Sequence, residues 1–166
     1  MIIKSMQKLV IGSGPGYQHQ DGVIAIDYIA AFNPDIVWDI TSGLPFSERV
    51  GNPRNVIDTQ SFEEVEIHHV LEHIESNKDF KQILWDIFSC LKPGGIVDIT
   101  VPYWKSDIAV ECYEHIRFFN ENSFMNFYNN PYAFEMELPV FELVLSERRP
   151  KDGGEEVHVI LKRPTV

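Results

Sequence analysis

At 166 residues the chain has the size of one domain with a core of its own, needing neither a structural metal nor a disulfide framework. Its net charge of -11 at pH 7 repels a phosphate backbone, so nucleic acid is excluded as the expected partner despite the basic patch at Arg148, Arg149 and Lys151. No apolar run reaches the ~20 residues that span a bilayer, the amino end lacks a secretory pattern, and Cys90 and Cys112 have no ligand-like spacing; no membrane partner and a cytoplasmic location are the expectations.

Lys8 to Ile11 and Gly22 to Ile26 are short apolar runs closed by turn residues and read as strands. Between them Gly12, Gly14 and Gly16 let the backbone bend tightly or approach a ligand. Parallel neighbours normally need a helical crossover, and this connection has little helical pattern, which predicts a shortened first crossover. Asp35 to Ile40 is the third strand and Glu63 to His69 the fourth, with Val65, Ile67 and His69 on one face and Glu64, Glu66 and His68 on the other. A parallel strand covered on both faces is apolar almost throughout. This one alternates, so part of one sheet face is expected to be uncovered and available to a second subunit, which puts a homo-oligomer among the partners considered.

From Phe80 to Leu91, apolar residues recur at spacings of three and four and predict an amphipathic helix. Pro93, Gly94 and Gly95 stop it, and Ile96, Val97, Ile99 and Val101 supply a fifth strand ending at Pro102. Glu121 to Tyr128 reads as a short helix capped by Asn120, with Phe124, Phe127 and Tyr128 reaching the core. Glu135 to Glu147 and Glu155 to Lys162 are strand-like, joined by a loop at Arg-Pro-Lys-Asp-Gly-Gly, and form an antiparallel final pair. With no repeat and no linker, residues 1–166 are expected to be a single α/β domain: an open, mostly parallel Rossmann-like sheet with an antiparallel final strand.

The run Gly12-Ser13-Gly14-Pro15-Gly16 lacks the Gly-Lys-Ser/Thr end of a triphosphate loop and departs from the dinucleotide fingerprint. Asp27 lies at the next strand end, where ligands bind in such sheets, and its carboxylate can accept both hydrogen bonds of a ribose diol. Asp39 can accept from an adenine amino group while the Ile40 amide meets the ring edge; a turn cap is the competing reading. His69-Val70-Leu71-Glu72-His73 has the spacing of inverted zincins. That chemistry needs both histidines on one helical face, whereas His69 falls at a strand end, so no metal site is expected from this motif. His115 can remove a proton from an attacking hydroxyl or amine, or it and Arg117 anchor a loop; Tyr103 and Trp104 either stack on substrate or pack at the core edge.

The ordered set Val37-Trp38-Asp39-Ile40-Thr41, Leu44-Pro45-Phe46, His69-Val70-Leu71-Glu72-His73-Ile74 and Leu91-Lys92-Pro93-Gly94-Gly95 resembles the class I S-adenosylmethionine-dependent methyltransferases, in particular the type 11-like branch. Val101-Pro102-Tyr103, His115-Ile116-Arg117-Phe118-Phe119 and Ser123-Phe124 extend the likeness, which covers about residues 8 to 128. The resemblance implies a cofactor, S-adenosylmethionine, held by Gly12, Ser13 and Gly14 on its methionine side. It further implies Asp27 at the ribose with Tyr28 also at the cofactor, Asp39 and Ile40 at adenine, and His69 lining the cofactor near the fourth strand. It implies transfer of a methyl group to an oxygen or nitrogen of a small acceptor, with His115 and Tyr103 at the reacting end. Two departures stand out: Lys8-Leu9-Val10-Ile11 carries no acidic residue ahead of the glycines, and the first crossover is abbreviated. The alternatives are a noncatalytic interaction domain with a degraded pocket, and a nucleotide-sugar or nicotinamide oxidoreductase on fold grounds.

Overall fold

The described residues form a sheet of seven strands, clearest in the alternating burial of β4: β1 (Lys8–Ile11), β2 (Val23–Asp27), β3 (Ile36–Val37), β4 (Phe62–His68), β5 (Leu91–Pro102), β6 (Glu142–Lys151) and β7 (Gly154–Lys162). The computed structural model describes residues 7–47, 49–50 and 56–165. The strand order is β3-β2-β1-β4-β5-β7-β6. β1 to β5 pair in parallel, and β7 runs antiparallel to both β5 and β6. The mostly parallel α/β sheet with an antiparallel final strand is therefore present, and the connection from β1 to β2 contains no helix.

Register explains why one face is the core. Leu9, Val65, Val97 and Leu161 lie side by side across four strands, and Ile11, Ile67, Ile99 and Val159 form the next row. All eight are fully buried. The helix α1 (Asn77–Cys90) covers them with Ile83, Leu84, Ile87 and Cys90, which belong to the same cluster. Ser76 starts it by accepting hydrogen bonds from the Lys78 and Asp79 amides at 3.1 and 3.3 Å, so the helix begins before the expected Phe80. Its one buried acid, Asp86, accepts from the Leu44 amide at 2.7 Å, from Gln82 at 2.9 Å and from both Arg49 terminal nitrogens at 2.5 and 3.2 Å. That junction clamps the turn at residues 40–44 onto the helix.

The opposite face carries rows of charge. Lys8 reaches Glu64 at 2.9 Å and Glu66 at 2.5 Å, while His68 and His158 each place Nε2 against Asp98 Oδ1, at 2.9 and 3.0 Å. Among the described residues no α-helix covers these groups, since α1 is the only one and packs on the apolar side. Burial pushes the Asp98 carboxyl up, but the hydrogen bonds from His68 and His158 outweigh it and hold it below the usual carboxylate range. A lowered folded value contributes stability that is present above the unfolded value, about 3.9, and is lost as pH falls through the folded one. Urea midpoints of the native chain and Asp98→Asn are therefore expected to converge as pH is lowered from 7 to 3; a constant gap would remove Asp98 from the acid limb.

Five expectations need correction. β5 begins at Leu91, directly after α1, rather than at Ile96, and its register on β4 shifts between Phe62 and Glu64 to take up the residues around Pro93, Gly94 and Gly95. β3 is only Ile36–Val37, because Asp35 turns its carboxylate to the Ala25 amide (2.8 Å), Tyr17 (2.9 Å) and His19 (2.6 Å), bonds that also pin the helix-free first crossover. His69 does not share the face of Val65 and Ile67: it has left β4 with φ at 54°. Glu121 to Tyr128 is not a helix beyond a 3-10 turn at Met125–Phe127, although Phe124 and Phe127 are buried as expected. β6 starts at Glu142 and runs through the segment read as a loop to Lys151; Pro150 is tolerated there because β6 is the sheet's edge.

Candidate functional site

The strand order reverses between β1 and β4, and the loops leaving β1, β2, β3 and β4 line a cavity of about 770 Å3 at their carboxyl ends. Open α/β sheets bind ligands at such a switch point.

One wall is the glycine loop. Gly12 adopts φ of 76°, and a Cβ there would lie 2.2 Å from Val70 Cγ2, so the loop and the turn after β4 pack backbone to side chain. Gly14 has φ of 66° and open space where a Cβ would be. Its amide donates to Asp27 Oδ2 at 3.0 Å, while Asp27 Oδ1 accepts from the Ile29 amide at 2.9 Å. Asp27 is buried, lines the cavity and joins the loops after β1 and β2. Tyr28 stands exposed at the rim beside it.

Asp39 and Ile40 line the cavity after β3. Asp39 Oδ1 accepts from the Thr41 amide at 2.9 Å and its hydroxyl at 2.8 Å, so the turn-cap reading is present in the geometry, and both bonds use one oxygen. The neighbouring Trp38 also lines the cavity and donates from its indole to the Gly43 carbonyl at 2.8 Å.

The other wall follows β4. His69 lines the cavity with its amide donating to the Thr100 carbonyl at 2.8 Å. Its Nδ1 lies 3.3 Å from Glu72 Oε1 and its Nε2 3.2 Å from Glu156 Oε2. The Glu72 carboxylate, then Glu156, raise the His69 imidazole above its ordinary range against the opposing effect of burial. Leu71–His73 is a single 3-10 turn, so His69 and His73 do not share a helical face. Glu72 is fully buried; its carbonyl accepts from the Ile116 and Arg117 amides at 3.0 and 3.1 Å, which draws residues 113–117 across the cavity mouth.

Tyr113, Glu114 and Ile116 line the cavity, whereas His115 sits behind them with its ring 4.7 Å from that of His73 in an edge-on pair. Arg117 is an anchor: Nε donates to the Ile74 carbonyl and Nη2 to that of Glu75 at 3.1 Å, with the guanidinium 4.7 Å over Phe80. Tyr103 and Ser13 are not among the cavity-lining residues. Tyr103 is buried beneath the Arg148 guanidinium at 4.6 Å, and the Ser13 hydroxyl is buried without a hydrogen-bond partner. Gly12, Gly14, Asp27, Tyr28, Asp39, Ile40 and His69 thus meet at one cavity, joined by His73, Ile74 and Tyr113, which sequence reasoning did not assign. The first two of these stand in the same motif as His69; Tyr113 carries no local signal.

Gly12→Ala is expected to destabilise the chain by at least about 1 kcal/mol, because a left-handed conformation is strained for alanine and Val70 blocks the new methyl. A urea midpoint equal to that of the native chain would contradict the packing described.

No protein-family model matches the chain, and no curated protein matches it in sequence. Solved structures match its fold. N-methyltransferase NodS from Bradyrhizobium japonicum WM9, in complex with S-adenosyl-L-homocysteine, superposes with a TM-score of 0.60 at 12% identity, over 95% of this chain and 78% of that one. The 1,6-didemethyltoxoflavin-N1-methyltransferase from Burkholderia thailandensis, bound to 1,6-didemethyltoxoflavin and S-adenosylhomocysteine, gives 0.58 at 18% identity over 95% and 70%. The [4+2]-cyclase SpnF gives 0.61 at 10% identity over 98% and 76%. The sheet is that of the class I methyltransferase fold, and the cyclase among its likenesses makes clear that the reaction has to be argued from the site.

Proposed function

We propose that this chain is an S-adenosylmethionine-dependent methyltransferase acting on an oxygen or nitrogen nucleophile of a small acceptor. The observation that carries the reading is the convergence of the glycine loop, buried Asp27 and the Asp39-Ile40 turn on one cavity of about 770 Å3. That volume falls within the roughly 300–1,000 Å3 of small-molecule sites.

The residues present fit an adenosine group. A carboxylate has about four lone-pair sites, and the Gly14 and Ile29 amides occupy one on each oxygen of Asp27, which leaves acceptor capacity for two ribose hydroxyls. Asp39 Oδ2 lies outside the Thr41 cap and suits an amino group at the base edge. The open crest at Gly14 lets a ligand approach the backbone.

When bound, the cofactor supplies a methyl carbon on a positively charged sulfur, already an electrophile. The protein's task is then to align the nucleophile in line with it and exclude water. In this reading His69 stays with the cofactor, and His73, Tyr113 and Ile116, which line the same cavity, are the groups left to hold the acceptor. His115 stands behind this wall with its ring 4.7 Å from that of His73 and Nε2 4.0 Å from Glu72 Oε1, so it would take a proton from a hydroxyl or amine only by way of His73. Tyr103 takes a packing role in this reading.

Calorimetric titration with S-adenosylmethionine and S-adenosylhomocysteine is expected to give one site per chain. Absence of binding by both in folded protein would overturn the assignment.

A further inference from the structure

We propose that Glu72, His73 and His115 form a binding site for a divalent transition-metal ion of the zinc class at the wall of the cavity. One ligand atom from each lies within 4.8 Å of the others.

The second observation is the state of these atoms. Glu72 is fully buried, and both of its carboxylate oxygens lack a hydrogen-bond partner, as does the buried Nδ1 of His115. Desolvating an ionised carboxylate is costly unless it is paired or ligates a metal. His69 is the nearby competitor: its Nδ1 lies 3.3 Å from Glu72 Oε1 as an ion pair and its Nε2 is turned to Glu156, so Oε2 is the Glu72 oxygen left with neither a hydrogen bond nor an ion pair. A cation among the three groups would meet the buried Glu72 carboxylate on one side and His115 on the other, where Nε2 lies 4.0 Å from Glu72 Oε1.

Donor chemistry selects the ion. Two imidazoles and one carboxylate suit zinc, iron, cobalt or nickel, whereas magnesium and calcium take oxygen ligands. Metal–ligand distances of about 2.1 Å place neighbouring ligands roughly 3.4 Å apart in a tetrahedron, so the side chains close inward by less than about 1 Å each. The ligands come from two segments, the turn after β4 and residues 113–117, already fastened by the Ile116 and Arg117 amides to the Glu72 carbonyl. His73 lines the cavity, so a fourth coordination position opens toward it for water or an acceptor heteroatom, the arrangement of catalytic rather than structural sites.

This ligand set differs from the His69/His73 pair of the inverted-zincin spacing. Ligation would hand activation of the acceptor to the cation in place of a free His115; that last point rests on the methyl-transfer reading, while the metal site does not.

The test is calorimetry of the full chain, stripped with chelator and titrated with zinc chloride, together with visible absorption after loading with cobalt(II). One zinc per chain and cobalt bands of low coordination number are expected. His73→Ala and His115→Ala are each expected to weaken zinc binding at least tenfold, and Glu142→Gln, at an exposed carboxylate on the edge strand β6, to leave it unchanged. Because Glu72 is buried, Glu72→Gln is read only if its circular dichroism matches the native chain, and the two histidine variants carry the test without it. No zinc binding, or binding that survives both His73→Ala and His115→Ala, would overturn the site and leave Glu72 as the partner of His69. S-adenosylhomocysteine titrated separately keeps failure of the metal site distinct from failure of the cofactor assignment.

Discussion

Replacing Asp27 by alanine is expected to weaken S-adenosylhomocysteine binding by roughly 1–3 kcal/mol, about 5- to 150-fold in dissociation constant. Two effects act in the same direction. The variant loses the charge-assisted acceptors proposed for the ribose hydroxyls, and it leaves the Gly14 and Ile29 amides without the carboxylate that holds them at 3.0 and 2.9 Å. Asp27→Asn separates the two in part, because one side-chain oxygen still accepts while the amide NH2 faces backbone donors. Calorimetry on variants whose urea midpoints show them folded is the measurement. An affinity equal to that of the native chain would end the ribose assignment.

Phe124→Ala is expected to cost about 3–5 kcal/mol of stability, the range for deleting a buried phenylalanine ring. Phe124 is fully buried, stacked on Phe119 at 5.6 Å with an interplanar angle of 5°, and 6.4 Å from Phe80 of α1. Residues 104–141 contain only two 3-10 turns as helix, so aromatic packing rather than backbone pairing holds most of this segment on the sheet. The loss should appear as a lower urea midpoint with little change in slope. Since Tyr113, Glu114 and Ile116 belong to the same segment, the cavity wall they form should loosen with it. A midpoint shift corresponding to less than about 1 kcal/mol would mean that the segment is held by something other than these rings.

Those rings also mark where the sequence is hard to read. β1, β2, β5 and β7 are legible because a buried strand is specified by its own side chains, alternate or continuous. The start of α1 was legible as well, through Ser76 three residues before Asp79, the spacing of a helix amino-terminal box, but the apolar stripe alone places it at Phe80. Phe124 and Phe127 look like a helical stripe, yet their burial comes from Phe80 and Phe119, so their spacing carries no periodicity. Asp35 was counted as a strand residue, whereas its carboxylate serves Tyr17, His19 and Ala25. Bonds between residues far apart in sequence leave no local pattern to find.

The site divides in the same way. Gly12, Gly14, Asp27 and Asp39 were legible because strand ends and turns can be located from the residues on each side. The meeting of Glu72 and His73 with His115 was not, because it depends on two amides near residue 116 finding one carbonyl.

The helix-free path from β1 to β2 has one more effect. In an ordinary doubly wound sheet a helix begins just past the first strand, and the partial positive charge at its amino terminus draws the anionic end of a ligand. Here no aligned peptide dipoles point at the rim from that position. An anionic group near Gly12 and Gly14 has to be met by single amide donors, so its retention varies with how firmly Tyr17, His19 and Asp35 keep the loop ordered.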